Sequence, residues 1–201
     1  MRSFLLAALL SSGCFDLGKI DDRVESSSDL CQKPSGTNLL DGEQAAFVGN
    51  GPASGWIRTE QIGEFFNVDN GCVAPSSTQF CNDGAGYLYG PLVTTVPGAQ
   101  YRVHAWMHLP VAGDGGFYGS PEIGTLTLHF NTPQVGGTGV DGAPWNYGPL
   151  AAGWQEIVTP ASLAPSADAG ASETNVSAVL LFGNIATSCL ILNYVFLERV
   201  N

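Results

Sequence analysis

Residues 89–107 read YGPLVTTVPGAQYRVHAWM, and their reading decides the fold class. Val93 to Val96 form a short β-branched run. Pro97–Gly98 supplies a turn corner, since proline fixes the first turn dihedral and glycine accepts the positive φ that follows. Beyond the corner, Tyr101, Val103, Ala105 and Met107 alternate with Arg102, His104, Trp106 and His108. A period of two predicts a strand with one apolar face and one face carrying histidines and an indole.

The same pattern recurs outward along the chain. Apolar or alternating runs fall at 45–48, 56–60, 64–68, 86–89, 92–96, 101–109, 123–130, 154–158, 176–182 and 189–199. Glycine, proline, asparagine or aspartate separates most of them, and no stretch keeps a helical apolar period for three turns. With 26 glycines, 12 prolines and 12% charged residues, the 201-residue chain reads as all-β, a sandwich of two antiparallel sheets. VSAVLLFGN (176–184) is apolar on both faces and predicts a central strand. CLILNYVFLERV (189–200) predicts a long closing strand buried between layers.

The formal net charge is −11, with only seven basic residues spread thinly. Without a basic stripe the chain lacks the electrostatic footprint of a nucleic-acid binder. The N-terminus, MRSFLLAALLSSGCF, has a basic residue, a short apolar run and small residues before Cys14. It is too short to span a bilayer and reads as a signal peptide over 1–13. The run into Cys14 resembles the lipobox of bacterial lipoproteins, although Ser11 stands where leucine is usual and Leu10 lies one place earlier. The resemblance implies a lipidated Cys14, with attachment to the membrane through acyl chains alone. Phe15 in place of an aspartate implies the outer membrane or cell surface of a Gram-negative bacterium. Residues 14–37, acidic and serine-rich, read as a tether, and 38–201 as the folded domain.

Removing Cys14 leaves Cys31, Cys72, Cys81 and Cys189, an even set expected in an oxidising compartment. Of three pairings, the spacing favours Cys72–Cys81, stapling one loop, and Cys31–Cys189, tying the domain start to its final strand. In the chain-entropy model these contribute about 2.7 and about 5 kcal/mol.

Four pieces occur in a recurrent order: NLLDGEQAAF with SGW shortly after, YGPLVTTVPGAQYRVHAWM, GWQEIVTP, and CLILNYVFLERV. Together they resemble jelly-roll carbohydrate-binding modules of the galactose-binding-like kind, over nearly all of 38–200. The resemblance implies a jelly-roll fold, a non-catalytic sugar-binding role and a concave sheet that holds the glycan. It also implies a structural Ca²⁺ near the opening, for which Asp41, Glu43 and Asn193 are the candidate ligands. Asn193–Tyr194 departs from the family's Asp-Asp pair, leaving one amide oxygen where a carboxylate is usual.

The residues then suggest where a sugar sits. An indole offers a flat apolar surface to a pyranose ring, and imidazoles exchange hydrogen bonds with hydroxyls. EIGTLTLHF (122–130) sets Thr125, Thr127 and His129 opposite Leu126, Leu128 and Phe130. If this strand shares a sheet with 101–109, then His104, Trp106, His108, Thr127 and His129 line one ligand face. Trp145 and Tyr147, in the loop DGAPWNYGP, are candidate rim contacts. Tyr87 and Tyr89 flank Leu88 and lie on one face, while Trp56 and Trp154 are expected to be structural. Zinc is excluded at His104 and His108, which a strand holds about 13 Å apart.

No GxSxG, HExxH or phosphate-loop pattern is present, and no carboxylate pair has a distinctive setting. The sequence therefore points to a binding module rather than an enzyme, with no cofactor beyond the Ca²⁺ candidate. Carbohydrate is the expected ligand, and a protein partner at the cell surface is the alternative.

Overall fold

In a computed structural model of the chain, the Pro97–Gly98 corner forms as read. Gly98 takes a φ of 75°, and the Ala99 amide donates to the Val96 carbonyl at 3.0 Å. The structure describes residues 30–59, 62–82, 86–108, 125–131, 140–141, 145–146, 153–165, 174–182 and 188–200. The expected signal peptide and Cys14 lie outside them.

Two antiparallel sheets face each other. Sheet I has the order β10 (Trp154–Val158), β6 (Gln100–His108), β13 (Ser188–Val200), β3 (Ser77–Asn82), β2 (Ile62–Val68), with β11 (Ser162–Leu163) beside β6. Sheet II has the order β1 (Ile57–Arg58), β4 (Gly86–Tyr89), β12 (Thr174–Phe182), β7 (Thr125–Asn131), β8 (Val140–Asp141). There β5 (Val93–Thr95) pairs with β12, and β9 (Trp145–Asn146) with β7. The fold is a β-sandwich. The Pro-Gly corner carries the chain across it, because β5 belongs to sheet II and β6 to sheet I.

Alternation decides what fills the middle. Tyr101, Val103, Ala105 and Met107 of β6 meet Leu126, Leu128 and Phe130 of β7 and Leu88 of β4, all buried. The Tyr101 and Phe130 rings meet edge to face at 6.3 Å. The strand read as central, β12, is central in sheet II, and the long closing strand β13 lies in the middle of sheet I. Trp56 is buried as expected, edge-on to Phe47 at 5.0 Å.

Three expectations are corrected. Residues 45–48 are not a strand. Gly42–Ala45 form a single helical turn, α1, capped by Asp41, whose Oδ1 accepts the amides of Glu43 at 3.0 Å and Gln44 at 2.8 Å. Gln44 Oε1 in turn accepts the Asp41 amide, closing a capping box.

Residues 30–37, read as the end of a tether, instead pack as a strap over the outer face of sheet I. Asn38 continues it. The Asn38 side chain donates to the Val195 carbonyl at 3.1 Å and accepts the Leu197 amide at 2.9 Å.

The cysteines pair as Cys31–Cys72 and Cys81–Cys189, not as Cys72–Cys81 and Cys31–Cys189. Cys81 stands directly opposite Cys189 on neighbouring strands. That leaves Cys72, in the 70–77 loop, to fasten the strap. Both bridges close long loops, of 41 and 108 residues, worth about 4 and about 5 kcal/mol in the chain-entropy model. Two disulfides indicate an extracytoplasmic protein.

Candidate functional site

Sheet II presents its second face outward. Because Leu88 points into the core, Tyr87 and Tyr89 point away from it, and their rings stack at 5.5 Å with planes 15° apart. On β7, the burial of Leu126, Leu128 and Phe130 turns Thr125, Thr127 and His129 to the same outer side. The intervening strand β12 fixes the levels: Leu181 pairs with both Tyr87 and Thr125, and Val179 with both Tyr89 and Thr127. Tyrosine and threonine rows thus stand two strands apart, about 10 Å. Ser177 lies opposite His129, Asp141 pairs with His129, and Asn146 with Thr125. Tyr87 is 38% exposed, His129 and Tyr89 are half-buried, and Thr127 is nearly covered. Chemically, this surface sets two phenol rings on one strand and hydroxyl and imidazole groups two strands away.

The expected companion residues lie elsewhere. β6 and β7 belong to opposite layers, so His104, Trp106 and His108 cannot share a surface with Thr127 and His129. Trp106 is fully buried, its indole N–H donating to the Leu30 carbonyl at 2.8 Å, and its ring stands against His104 and Tyr194. The strap forms its roof, and Lys33 sits over the Tyr194 ring at 4.7 Å. Trp106 and His104 are therefore sealed structural residues, which corrects their reading as ligand contacts. His108 is half-buried at the end of this row, edge-on to Trp154 at 5.4 Å. For Trp145 the structure describes only the backbone pairing with Leu126, and Tyr147 lies outside the described residues.

His104 is instead the centre of a charged chain. Its Nδ1 lies 2.7 Å from Glu156 Oε1 and its Nε2 lies 3.0 Å from Glu198 Oε1, while Arg102 Nε donates to the same Glu198 oxygen. Burial alone would raise the Glu198 carboxyl. Hydrogen bonds from Arg102 and His104, and their charges, outweigh that and hold it below the usual carboxylate range. The chain links β10, β6 and β13 across the sheet. Glu198 thus bonds both the imidazole and the guanidinium, and Glu156 bonds the imidazole from the other side.

The Ca²⁺ candidates do not assemble. Asn193 is buried at a bulge in β13, and its Oδ1 already accepts the amides of Val73 at 2.7 Å and Ala74 at 2.8 Å. Its Nδ2 donates to the carbonyls of Ala74 and Ser76 and to Ser77 Oγ. Asp41 caps α1. A hard cation needs six to eight oxygens, and Asp41 Oδ1 and Asn193 Oδ1 are already turned to N–H donors. Among the described residues no group of three or more histidine, cysteine, aspartate or glutamate side chains is placed to hold a metal.

Known proteins offer only structural parallels. No protein-family model matches the sequence, and no curated protein matches it. The CBM22-1 xylan-binding domain of Xyn10C from Paenibacillus barcinonensis superimposes with a TM-score of 0.51 at 12% identity, covering 85% of this chain and 99% of that one. The arabinose-bound α-L-arabinofuranosidase MgGH51 matches with a TM-score of 0.55 at 14% identity, covering 86% of this chain but 28% of the enzyme. At such identities the likeness concerns fold alone. The chain is similar in structure to the β-sandwich domains of carbohydrate-binding modules.

Proposed function

We propose that this protein is a non-catalytic carbohydrate-binding module, exported and anchored to the membrane by a lipidated Cys14, with a binding domain that includes the strap from Leu30 onward. The lipobox-like N-terminus supports the anchor, and the two disulfides support export. The proposed location is the outer membrane or cell surface.

The observation that carries the reading is the stacked Tyr87–Tyr89 pair on the outward face of sheet II, beside Thr125, Thr127 and His129. One pyranose unit of an oligosaccharide lays its C–H face on a phenol ring, and the hydroxyls of a neighbouring unit bond the threonine and histidine groups about 10 Å away. Trp145 and Tyr147 remain proposed rim contacts. That the superposed CBM22 domain is named as xylan-binding supports a polysaccharide ligand here. Trp106, His104 and His108 are not part of this site, because they belong to the other layer.

A glycan array with the wild type and Tyr87→Ala tests the proposal. Binding by the wild type with a loss of about tenfold or more in the variant is expected. Absence of binding by the wild type would leave a surface protein whose partner is another protein, and equal binding by both would take the sugar off the tyrosine pair.

A further inference from the structure

The tyrosine face has a rim that the two phenol rings do not account for. β1 flanks β4 in sheet II, and its Ile57 stands directly opposite Tyr89. Directly paired residues share a sheet face, so Ile57 points outward with the tyrosines. Arg58 stands opposite the buried Leu88 and turns the other way. There its guanidinium lies over the Phe65 ring at 5.1 Å, and its Nη1 donates to the carbonyls of Ile62 and Gly63. β1 therefore gives the outer face an aliphatic group and no cation.

Ile57 is 68% exposed, so it adds little to the core. A lone exposed isoleucine needs no explanation. This one continues an apolar strip, because its neighbour on β4, about 5 Å away, is Tyr89, which stacks on Tyr87. At the same level Tyr89 pairs with Val179, and Val179 with Thr127, three strand spacings or about 14 Å from Ile57. The face is thus graded: aliphatic at β1, aromatic at β4, hydroxyl and imidazole at β7.

We infer that the sugar unit resting on the tyrosines is a 6-deoxyhexose, with a methyl group where an ordinary hexose carries a hydroxymethyl. The inference rests on the tyrosine face being the sugar site. A hydroxymethyl set against Ile57 gives up water and receives no hydrogen bond from the isoleucine in return. A methyl has no hydrogen bond to lose and buries against the aliphatic side chain. A pentopyranose has no substituent at that carbon and leaves Ile57 wet. The ring carbons that meet the phenols are shared by all three, so Tyr87 and Tyr89 supply affinity and Ile57 supplies the choice.

The test is an amide-shift titration of the full chain with methyl glycosides of D-glucose, 6-deoxy-D-glucose and D-xylose, which differ only in the group on one ring carbon. D-galactose, 6-deoxy-D-galactose and L-arabinopyranose form a second series of the same kind. Wild type, Ile57→Asn and Tyr87→Ala are compared, with thermal unfolding to confirm that each is folded. In at least one series the wild type should bind the 6-deoxy sugar about tenfold tighter than its two relatives. Ile57→Asn should narrow that ratio to about twofold by losing affinity for the 6-deoxy sugar while keeping the hexose, which a misfolded variant would not do. Tyr87→Ala should lose all three sugars. No binding in either series, equal binding within both, or a preference that survives Ile57→Asn would overturn the inference. Equal binding that Tyr87→Ala abolishes would overturn the inference alone, whereas binding untouched by Tyr87→Ala would overturn the tyrosine site with it.

Discussion

The indole nitrogen of Trp106 donates to the carbonyl of Leu30 at 2.8 Å, joining the middle of sheet I to a residue 76 positions earlier. A sheet face that reads as open in the sequence is therefore an internal surface. Truncating such a side chain leaves a large cavity. Trp106→Ala should cost about 3–5 kcal/mol in denaturant unfolding while leaving any sugar affinity of the folded protein unchanged. A stable variant with lost affinity would place the ligand on this face.

The strap is held by Cys31–Cys72 as well as by packing. The double variant Cys31→Ser with Cys72→Ser should lose up to about 4 kcal/mol of stability. Hydrogen exchange at the Trp106 indole N–H should accelerate, because its acceptor lies next to Cys31. Signals from Tyr87 and His129 should stay in place. Unchanged exchange would mean that the bridge does not secure the roof.

Glu198 makes stability depend on pH in a definite direction. Its folded carboxyl is held below the 4.5 of the free group, so its stabilising contribution is fully present above pH 4.5. That contribution is lost as pH falls through the lower, folded value. Glu198→Gln should flatten the acid limb of the stability curve relative to wild type, read by thermal unfolding at stepped pH below 4.5. Parallel curves for the two proteins would refute this role.

Asn193 ties β13 to the 70–77 loop through five hydrogen bonds. Asn193→Asp keeps the acceptor but sets a carboxylate oxygen against the Ala74 and Ser76 carbonyls. It should destabilise by roughly 1–3 kcal/mol for each buried group left unmatched. Millimolar Ca²⁺ should not restore the lost stability. Recovery with Ca²⁺ would show that Asp41, Glu43 and this position do form a cation site.

Much of the architecture is legible in period-two alternation. Pro97–Gly98, the inward row of β6, the inward row of β7 and the doubly apolar β12 all stand as read. What alternation cannot supply is partnership. It separates Trp106 from Met107, but it does not reveal that residues 30–38 return to cover the tryptophan's side. Polar composition made that strap look like a tether, because its anchoring comes from Cys31, Asn38 and backbone groups rather than from apolar side chains. Nor does alternation say which sheet a strand joins, and the grouping of β6 with β7 failed on that point. Cysteine pairing failed for the same reason, since Cys81 and Cys189 meet only through the register of β3 and β13. One missed signal was present: Asp41 followed three residues later by Gln44 is a capping box, and it marks α1. Tyr87 and Tyr89 were visible as a pair, but their prominence depends on Trp106 being hidden.

The most direct test follows backbone amide shifts while the tightest-binding oligosaccharide from the glycan array is titrated into the full chain. The account predicts saturable shifts clustered at residues 86–89 and 125–129, with 102–108 and 194–198 unmoved. Shifts centred on 104–108, or none at any residue, would contradict a sugar-binding role for the outer face of sheet II.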